Sequence, residues 1–325
     1  MKLAVILMRI AIGRIMSKVD QYLQASTREN TRKSYQAAVR HFEVEWGGFL
    51  PATANSIARY LADHAGALSI NTLRQRLAAL AQWHVDQGFP DPTKAPIVRN
   101  VLRGILASHP AQEKQAKPLL LEHVEQVCIS LDAAISQADH LGNRPHALRL
   151  KRNKALLLIG FWRGFRGDEL ARLTVENINV IPGEGMICYL PHTKGDRHYR
   201  GTPFKVPALA KLCPVGAYLD WENAAQLTIG SIFRAIDRWG HVSEQGMHVD
   251  SIAPLLRSIL SDGRVASSEL YSCHSLRRGF ANWAVKNGWD IKTLMSYVGW
   301  KDVQSAVRYV DAADPFAKIR LEKVR

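Results

Sequence analysis

A polar stretch that contains two prolines, HPAQEKQAKP from His109 to Pro118, interrupts the helical patterning of this 325-residue chain. Proline lacks a backbone N–H and disfavours helix in the residue before it, so no helix runs through such a segment. The chain is therefore expected to fold as two bodies, residues 17–108 and 119–325, joined by a linker at 109–118. The length also suits two domains rather than one.

Within the first body, apolar residues recur at helical spacing. Ser26-x-x-Glu29 has the form of a capping box. Tyr35, Val39, Phe42 and Trp46 then follow one another on one face. Ile57, Tyr60, Leu61 and His64 predict a second helix. Ile70, Leu73, Leu77, Leu80 and His84 predict a third, ending near Gly88 and Pro90. Val98, Val101, Leu102 and Ile105 predict a fourth. Residues 1–16 are expected to be an N-terminal extension, with Met16 as the native start. Their apolar run, Leu3 to Met8, stops at Arg9 and is too short to span a membrane or serve as a signal core. The second body is expected to be mostly helical too. Short strands are expected at Val175–Val180, Met186–Leu190 and Tyr199–Val206, joined by PGEG and HTKGD. Leu156 to Trp162 reads as core. The expected fold class is mainly α, with a small antiparallel sheet in the second domain.

Charge narrows the partner. Lys plus Arg number 43 against 29 Asp plus Glu, a formal net charge of +14. Residues 17–108 hold 11 basic against 7 acidic side chains, and residues 119–325 hold 27 against 21, so no single tail carries the excess. Two basic bodies point to a polyanion, and duplex DNA is the expected partner. A membrane surface is disfavoured because no long basic amphipathic helix is present. The run Arg149, Lys151, Arg152 and Lys154 reads as a solvated face. The four cysteines form no C-x-x-C pair, so a reduced, cytoplasmic chain without a metal site is expected. No phosphate-binding G-x-x-x-x-G-K-[ST] loop, G-x-S-x-G elbow or H-E-x-x-H helix occurs. ATP, serine and zinc hydrolysis lose support accordingly.

Cationic groups in the second body stand out instead. Arg166 follows a glycine turn in GFRGDEL, with Glu169 three residues on. Lys194 lies in the HTKGD connection. His274 and Arg277 are three apart in CHSLRRG and so share a helix face. Gly299-Trp300 comes next, and Tyr309 follows nine residues after Trp300. Taken singly, each has a plainer reading: an Arg–Glu surface pair, a core histidine, a core tryptophan, a turn lysine, a packed tyrosine. Tyr297 is the nearest rival to Tyr309.

The ordered set resembles the tyrosine recombinase, or phage integrase, family. Arg166 precedes His274 by 108 residues and Arg277 precedes Tyr309 by 32. The segment HSLRRGFANWAVKNG…VGWKDVQSAVRYVD is similar to the family's C-terminal signature, and residues 17–108 resemble its core-binding domain. Trp300 stands where many members carry histidine, which marks a Cre-like variant. The resemblance implies a two-domain clamp on duplex DNA and a catalytic set of Arg166, Glu169, Lys194, His274, Arg277, Trp300 and Tyr309. It implies Tyr309 as nucleophile, Lys194 as general acid and Glu169 as a buttress. It also implies a 3′-phosphotyrosine intermediate, a Holliday junction and a homotetramer on paired sites, with no ATP or metal cofactor. The biological role would be integration, or dimer or cointegrate resolution, at the bacterial nucleoid; an accessory protein is compatible with this. An arm-binding domain of the larger integrases is not expected before residue 17. Phe316 and Ile319 in the tail suggest a short helix that docks on a neighbouring protomer. In the first body Arg32, Lys33, Arg40, Arg74, Arg76, Arg99 and Arg103 are candidate DNA contacts. Arg74, one residue after Leu73, is expected on a flank. A type IB topoisomerase, or a silent DNA-binding regulator on the same fold, would share parts of this pattern.

The residue types suit phosphoryl chemistry. When a hydroxyl attacks a phosphodiester, charge builds on the non-bridging oxygens, and fixed cationic donors stabilise it. Arginine supplies planar, paired donors that stay charged at any working pH. A tyrosine phenol ionises near pH 10 when free, so the same cations also favour the attacking phenolate.

Overall fold

In a computed structural model the chain divides into two compact units, Met1–Lys114 and Gln115–Arg325. The structure describes residues 27–110, 116–193 and 200–307, with Lys18, Tyr22 and Asp196. The N-terminal extension, Ser26, Lys194, Tyr199 and everything from Arg308 onward, including Tyr309, Phe316 and Ile319, lie outside the described residues.

The first unit contains α1 (Glu29–Arg40), which runs on through a π-helical turn at His41–Glu45, then α2 (Ala54–Asp63), α3 (Ile70–Asp86) and α4 (Pro96–Ser108). Side chains set two of the starts. Thr53 Oγ1 accepts the Ser56 N–H at 3.2 Å and Ser69 Oγ accepts that of Thr72 at 3.1 Å. Pro96 opens α4, where its missing N–H costs nothing. The N-cap of α1 is Arg28, which makes no side-chain cap, so this helix begins after the capping box expected at Ser26. Phe42, Ile57, Tyr60, Leu61, Leu73, Leu80 and Val98 are buried together, and all of them belong to the periodic sets.

The second unit is built around one helix. Its elements are α5 (Leu121–His140), α6 (Arg144–Arg163), α7 (Gly167–Ala171), β1 (Ile178–Ile181), β2 (Gly185–Leu190), β3 (Thr202–Pro207) and α8 (Pro214–Ala225). β4 (Arg234–Ile236), β5 (Val242–Gly246), α9 (Val249–Asp262), α10 (Cys273–Lys286), α11 (Ile291–Val298) and α12 (Val303–Val307) follow. Every residue of α6 from Ala155 to Arg163 is buried, and α5, α8 and α10 pack around it. A helix apolar on all sides must be enclosed in this way.

β1, β2 and β3 form an antiparallel sheet in that order, with Ile178 opposite Cys188 and Cys188 opposite Phe204. Met186, Cys188 and Leu190 alternate inward, as the period of two in a strand requires. The first strand starts later than the sequence suggested. Val175–Asn177 is a 3-10 turn, because the Asn177 amide side chain donates to Thr174 Oγ1 at 2.8 Å and draws the backbone into a local loop. A second, two-stranded sheet, β4 with β5, was not anticipated. Its turn is held by the Asp237 carboxylate, which accepts the N–H groups of Trp239 and His241 at 2.8 and 2.9 Å.

The expected solvated face at 149–154 is corrected. Arg152 is buried and donates to the Arg234 carbonyl at 3.0 Å, and burial pulls its pKa down to about 10. Lys151 and Lys154 pair with Asp139 and Asp132 on α5. A charge run read along one dimension does not reveal that neighbours wrap its helix. Among the described residues, no helix is long and apolar enough to cross a membrane.

Candidate active site

The centre of the site is assembled from two helix ends. α6 stops at Gly164 (φ +63°) and α11 stops at Gly299 (φ +76°), both in the left-handed conformation that glycine adopts without a Cβ penalty. These stops turn the carbonyls of Gly164 and Val298 toward one point. Arg277, on the first turns of α10, fills it: Nη1 donates to Gly164 O at 2.7 Å and Nη2 to Val298 O at 2.8 Å. The partial negative charge of helix C-termini favours a cation there. The guanidinium is 1% exposed.

Glu169 ties Arg277 to Arg166. The Arg166 backbone N–H donates to Glu169 Oε2 at 2.8 Å and its Nη1 donates to Oε1 at 2.6 Å. The same Oε2 lies 3.7 Å from Arg277 Nη1. The carboxylate is 3% exposed, whereas the Arg166 side chain is 25% exposed. An isolated buried carboxylate would be costly, and two guanidinium partners plus a backbone N–H offset that cost. Arg277 is thus the floor of the arrangement and Arg166 its accessible edge.

A cleft of about 410 Å³ opens over this pair. Arg166, Glu169, Phe204, Val298, Gly299 and Trp300 line it, with Asp196 and Arg200 from the β2–β3 connection. Trp300 is 6% exposed, and its ring lies 5.1 Å from Arg277 Cζ, within cation–π range. His274 is exposed at the second position of α10, where Ser272 Oγ caps its N–H at 3.3 Å. Neither His274 nor Arg277 is among the described residues that line the cleft. Four of the seven expected site residues, Arg166, Glu169, Arg277 and Trp300, therefore meet directly. Lys194 and Tyr309 lie outside the described residues. Tyr297 is occupied in packing. Its hydroxyl donates to Trp162 O at 2.8 Å, its ring stacks on Phe280 and burial pushes its pKa up to about 12.

Sequence reasoning passed over Arg163. It is 5% exposed, at the end of α6, with Cζ 4.4 Å from the Tyr297 ring and 4.5 Å from that of Phe204. Its Nε and Nη1 have no hydrogen-bond partner among the described residues. Burial pulls its pKa down to about 10, so it stays cationic at neutral pH. The available signal was an arginine closing an otherwise apolar run, which also fits an ordinary helix-end cation.

In the first unit Arg40, Arg74, Arg99 and Arg103 are exposed. Lys33, also exposed, pairs with Glu29 at 2.8 Å, and Arg32 is half-buried. Arg76 is half-buried as well, donating to Tyr60 Oη at 2.8 Å and lying against the His41 ring. Among the described residues, no cluster of three or more His, Cys, Asp or Glu could hold a metal ion.

A helical unit with a three-stranded antiparallel sheet is a fold that this structure shares with solved recombinases and integrases. The structure aligns with the Tn1549 transposon integrase in complex with transposon right end DNA (TM-score 0.57, 14% identity, 90% of this chain and 92% of that one). It also aligns with the XerH site-specific recombinase bound to difH substrate (TM-score 0.56, 16% identity, 90% and 79%). In sequence, residues 237–315 match the phage integrase family, a span that includes His274, Arg277, Trp300 and Tyr309. The chain is 27% identical over 321 residues to an integrase/recombinase XerD homolog of Selenomonas ruminantium, covering 96% of this chain and 90% of the relative. It is 23% identical over 277 residues to recombinase Cre of Escherichia phage P1, covering 82% and 78%. The chain is thus similar to tyrosine recombinases, in sequence over most of its length and in fold.

Proposed function

We propose that the chain carries out site-specific recombination of duplex DNA, with Tyr309 as nucleophile. The observation that carries this reading is the pair Arg166 and Arg277 braced on one buried carboxylate beneath a cleft that Trp300 lines. Cations fixed before the reaction stabilise developing negative charge without reorganising during it. The Tyr309 oxygen attacks phosphorus, and the bond to the 5′-oxygen breaks. Lys194 supplies the proton that this oxygen takes up. The 3′-phosphotyrosine conserves the bond, and a 5′-hydroxyl of the partner strand reverses the step to join it. His274 adds a donor to the phosphate oxygens and helps remove the phenolic proton. Atoms and charge balance without ATP.

The exposed arginines of the first unit and the +14 net charge support binding along a DNA backbone. The relatives that hold DNA in their structures support the same partner. Assembly as a tetramer, through the tail that follows Tyr309, belongs to the same proposal; deleting residues 314–325 is expected to weaken assembly more than binding of one protomer.

The test uses the full chain expressed in bacterial cells. After denaturing lysis, DNA bound covalently to the protein is recovered and its ends are sequenced. The wild type is expected to yield adducts at discrete sites and Tyr309→Phe none. Equal recovery from both, or none from the wild type, overturns the reading. A plasmid carrying two copies of the mapped site then separates recombination from topoisomerase action, because relaxation without a joined product would exclude the former.

A further inference from the structure

Arg163 is the feature that the proposed reaction leaves unexplained. Two of its donors are buried without acceptors among the described residues, an arrangement that a core avoids unless something else compensates. Three aromatic faces compensate here, Phe165 at 5.9 Å and two nearer ones from other elements. Phe204 comes from β3 and Tyr297 from α11, and the guanidinium lies 4.5 and 4.4 Å from their rings. Both elements line the cleft, β3 through Phe204 and α11 through Met295 and Val298, and the Phe204 ring packs close to Gly299 at the end of α11. Arg163 also precedes Gly164, and Tyr297 precedes Val298, the residues whose carbonyls hold Arg277. Tyr297 Oη closes the loop by donating to Trp162 O.

From this geometry we infer that Arg163 is a positioning residue: a buried cation clamped between Phe204 and Tyr297 that fixes β3 against α11 and so sets the width of the cleft above Arg277. It touches no reacting atom. It acts through the two walls, one ending in the Gly299-Trp300 turn and the other following the connection that contains Lys194. A leucine or methionine would fill the same space. Only a cation draws two aromatic faces from separate elements toward one centre. The inference rests on the recombinase reading for its catalytic consequence, but the clamp itself is a property of the protein without DNA.

The experiment compares wild type, Arg163→Met and Arg163→Lys as full chains. Amide exchange is followed by mass spectrometry in the absence of DNA, and covalent adducts are recovered from cells at matched soluble levels. Arg163→Met is expected to speed exchange about tenfold in Thr202–Pro207 and Ile291–Val298 while leaving Pro214–Ala225 unchanged. Adduct yield is expected to fall about tenfold or more, because small misplacements at a reacting centre are costly. Arg163→Lys, which keeps a cation between the rings, is expected to recover most of both losses. Tyr297→Leu removes one face and is expected to mimic Arg163→Met, and the double variant to be no worse than either single one.

Unchanged exchange at both walls, or an equal rise throughout the unit, overturns the clamp. Local loosening with full adduct yield overturns its role in positioning. If Arg163→Met does not fold, failure of Arg163→Lys to preserve wild-type exchange at the walls also overturns it. Absence of any adduct from wild type defeats the recombinase reading and the catalytic consequence together, while the exchange data still decide whether the clamp exists.

Discussion

Cations in the two units of this molecule are held in opposite ways. In the first unit Arg40, Arg74, Arg99 and Arg103 stand exposed on helices. In the second, Arg163 and Arg277 are buried and Arg166 is pinned to a buried carboxylate. Exposed cations attract a polyanion in proportion to the counterions displaced, and salt weakens them. Buried cations fixed by helix ends and a carboxylate hold one geometry, which is what stabilising a single transition state demands. On the proposed function, the same side chain would serve adhesion in one region and chemistry in the other.

The sharpest break in that contrast comes from Arg277→Met. It leaves the Gly164 and Val298 carbonyls without their donors and Glu169 with one cation fewer. A loss of about 3–5 kcal/mol in stability is expected, read from urea unfolding, together with loss of detectable adduct. Glu169→Gln keeps the shape and removes the shared counter-charge. It is expected to cost about 1–3 kcal/mol, and adduct yield is expected to drop up to about a hundredfold as Arg166 loses its anchor. Retained yield would show that Arg166 is positioned by something other than that carboxylate.

Substitutions in the first unit should behave differently. Arg74→Gln or Arg99→Gln is expected to change stability by less than about 0.5 kcal/mol. Each is expected to lower the slope of log affinity against log salt by about one on a short random-sequence duplex, if that side chain meets a phosphate. A stability loss as large as that of Glu169→Gln would erase the distinction between the units. The smallest effect concerns two buried thiols, Cys188 near the buried Arg163 and Cys273 near the exposed Arg257. Burial pushes Cys188 up to about 12 and Cys273 up to about 11, despite the latter's place at the start of α10. Neither is expected to react with iodoacetamide in the folded chain at neutral pH, and unfolding in urea is expected to expose both. Rapid labelling of Cys273 in the native protein would mean that the helix end and Arg257 outweigh its burial.

Much of this was legible in the amino-acid order. The four helices of the first unit follow apolar residues at spacings of three and four, and the buried cluster, Ala58 apart, is drawn from them. Glu169 lies three residues after Arg166, so their contact is local and could be read directly. The strand start near Val175 and the β4–β5 pair were not legible, because short polar strands and turns depend on side-chain hydrogen bonds that periodicity does not encode. Arg152 and Arg163 escaped for a related reason. Each is buried by partners far away in the chain, Arg152 beside Arg234 and Arg163 between Phe204 and Tyr297.

Taken by itself, the sequence determined that there are two bodies, that both are helical and basic, and that Arg166, His274, Arg277, Trp300 and Tyr309 occur in a recombinase-like order. Only the tertiary structure decided which of the cations are buried and what faces them. Arg277 donates to carbonyls 113 and 21 residues away, and Arg163 meets rings from two other elements. The physical reason is that a repeat along the chain fixes which side of a helix is apolar. Where separate helix ends converge is set by the packing of α6, α10 and α11, and that packing makes the electrostatics of the site.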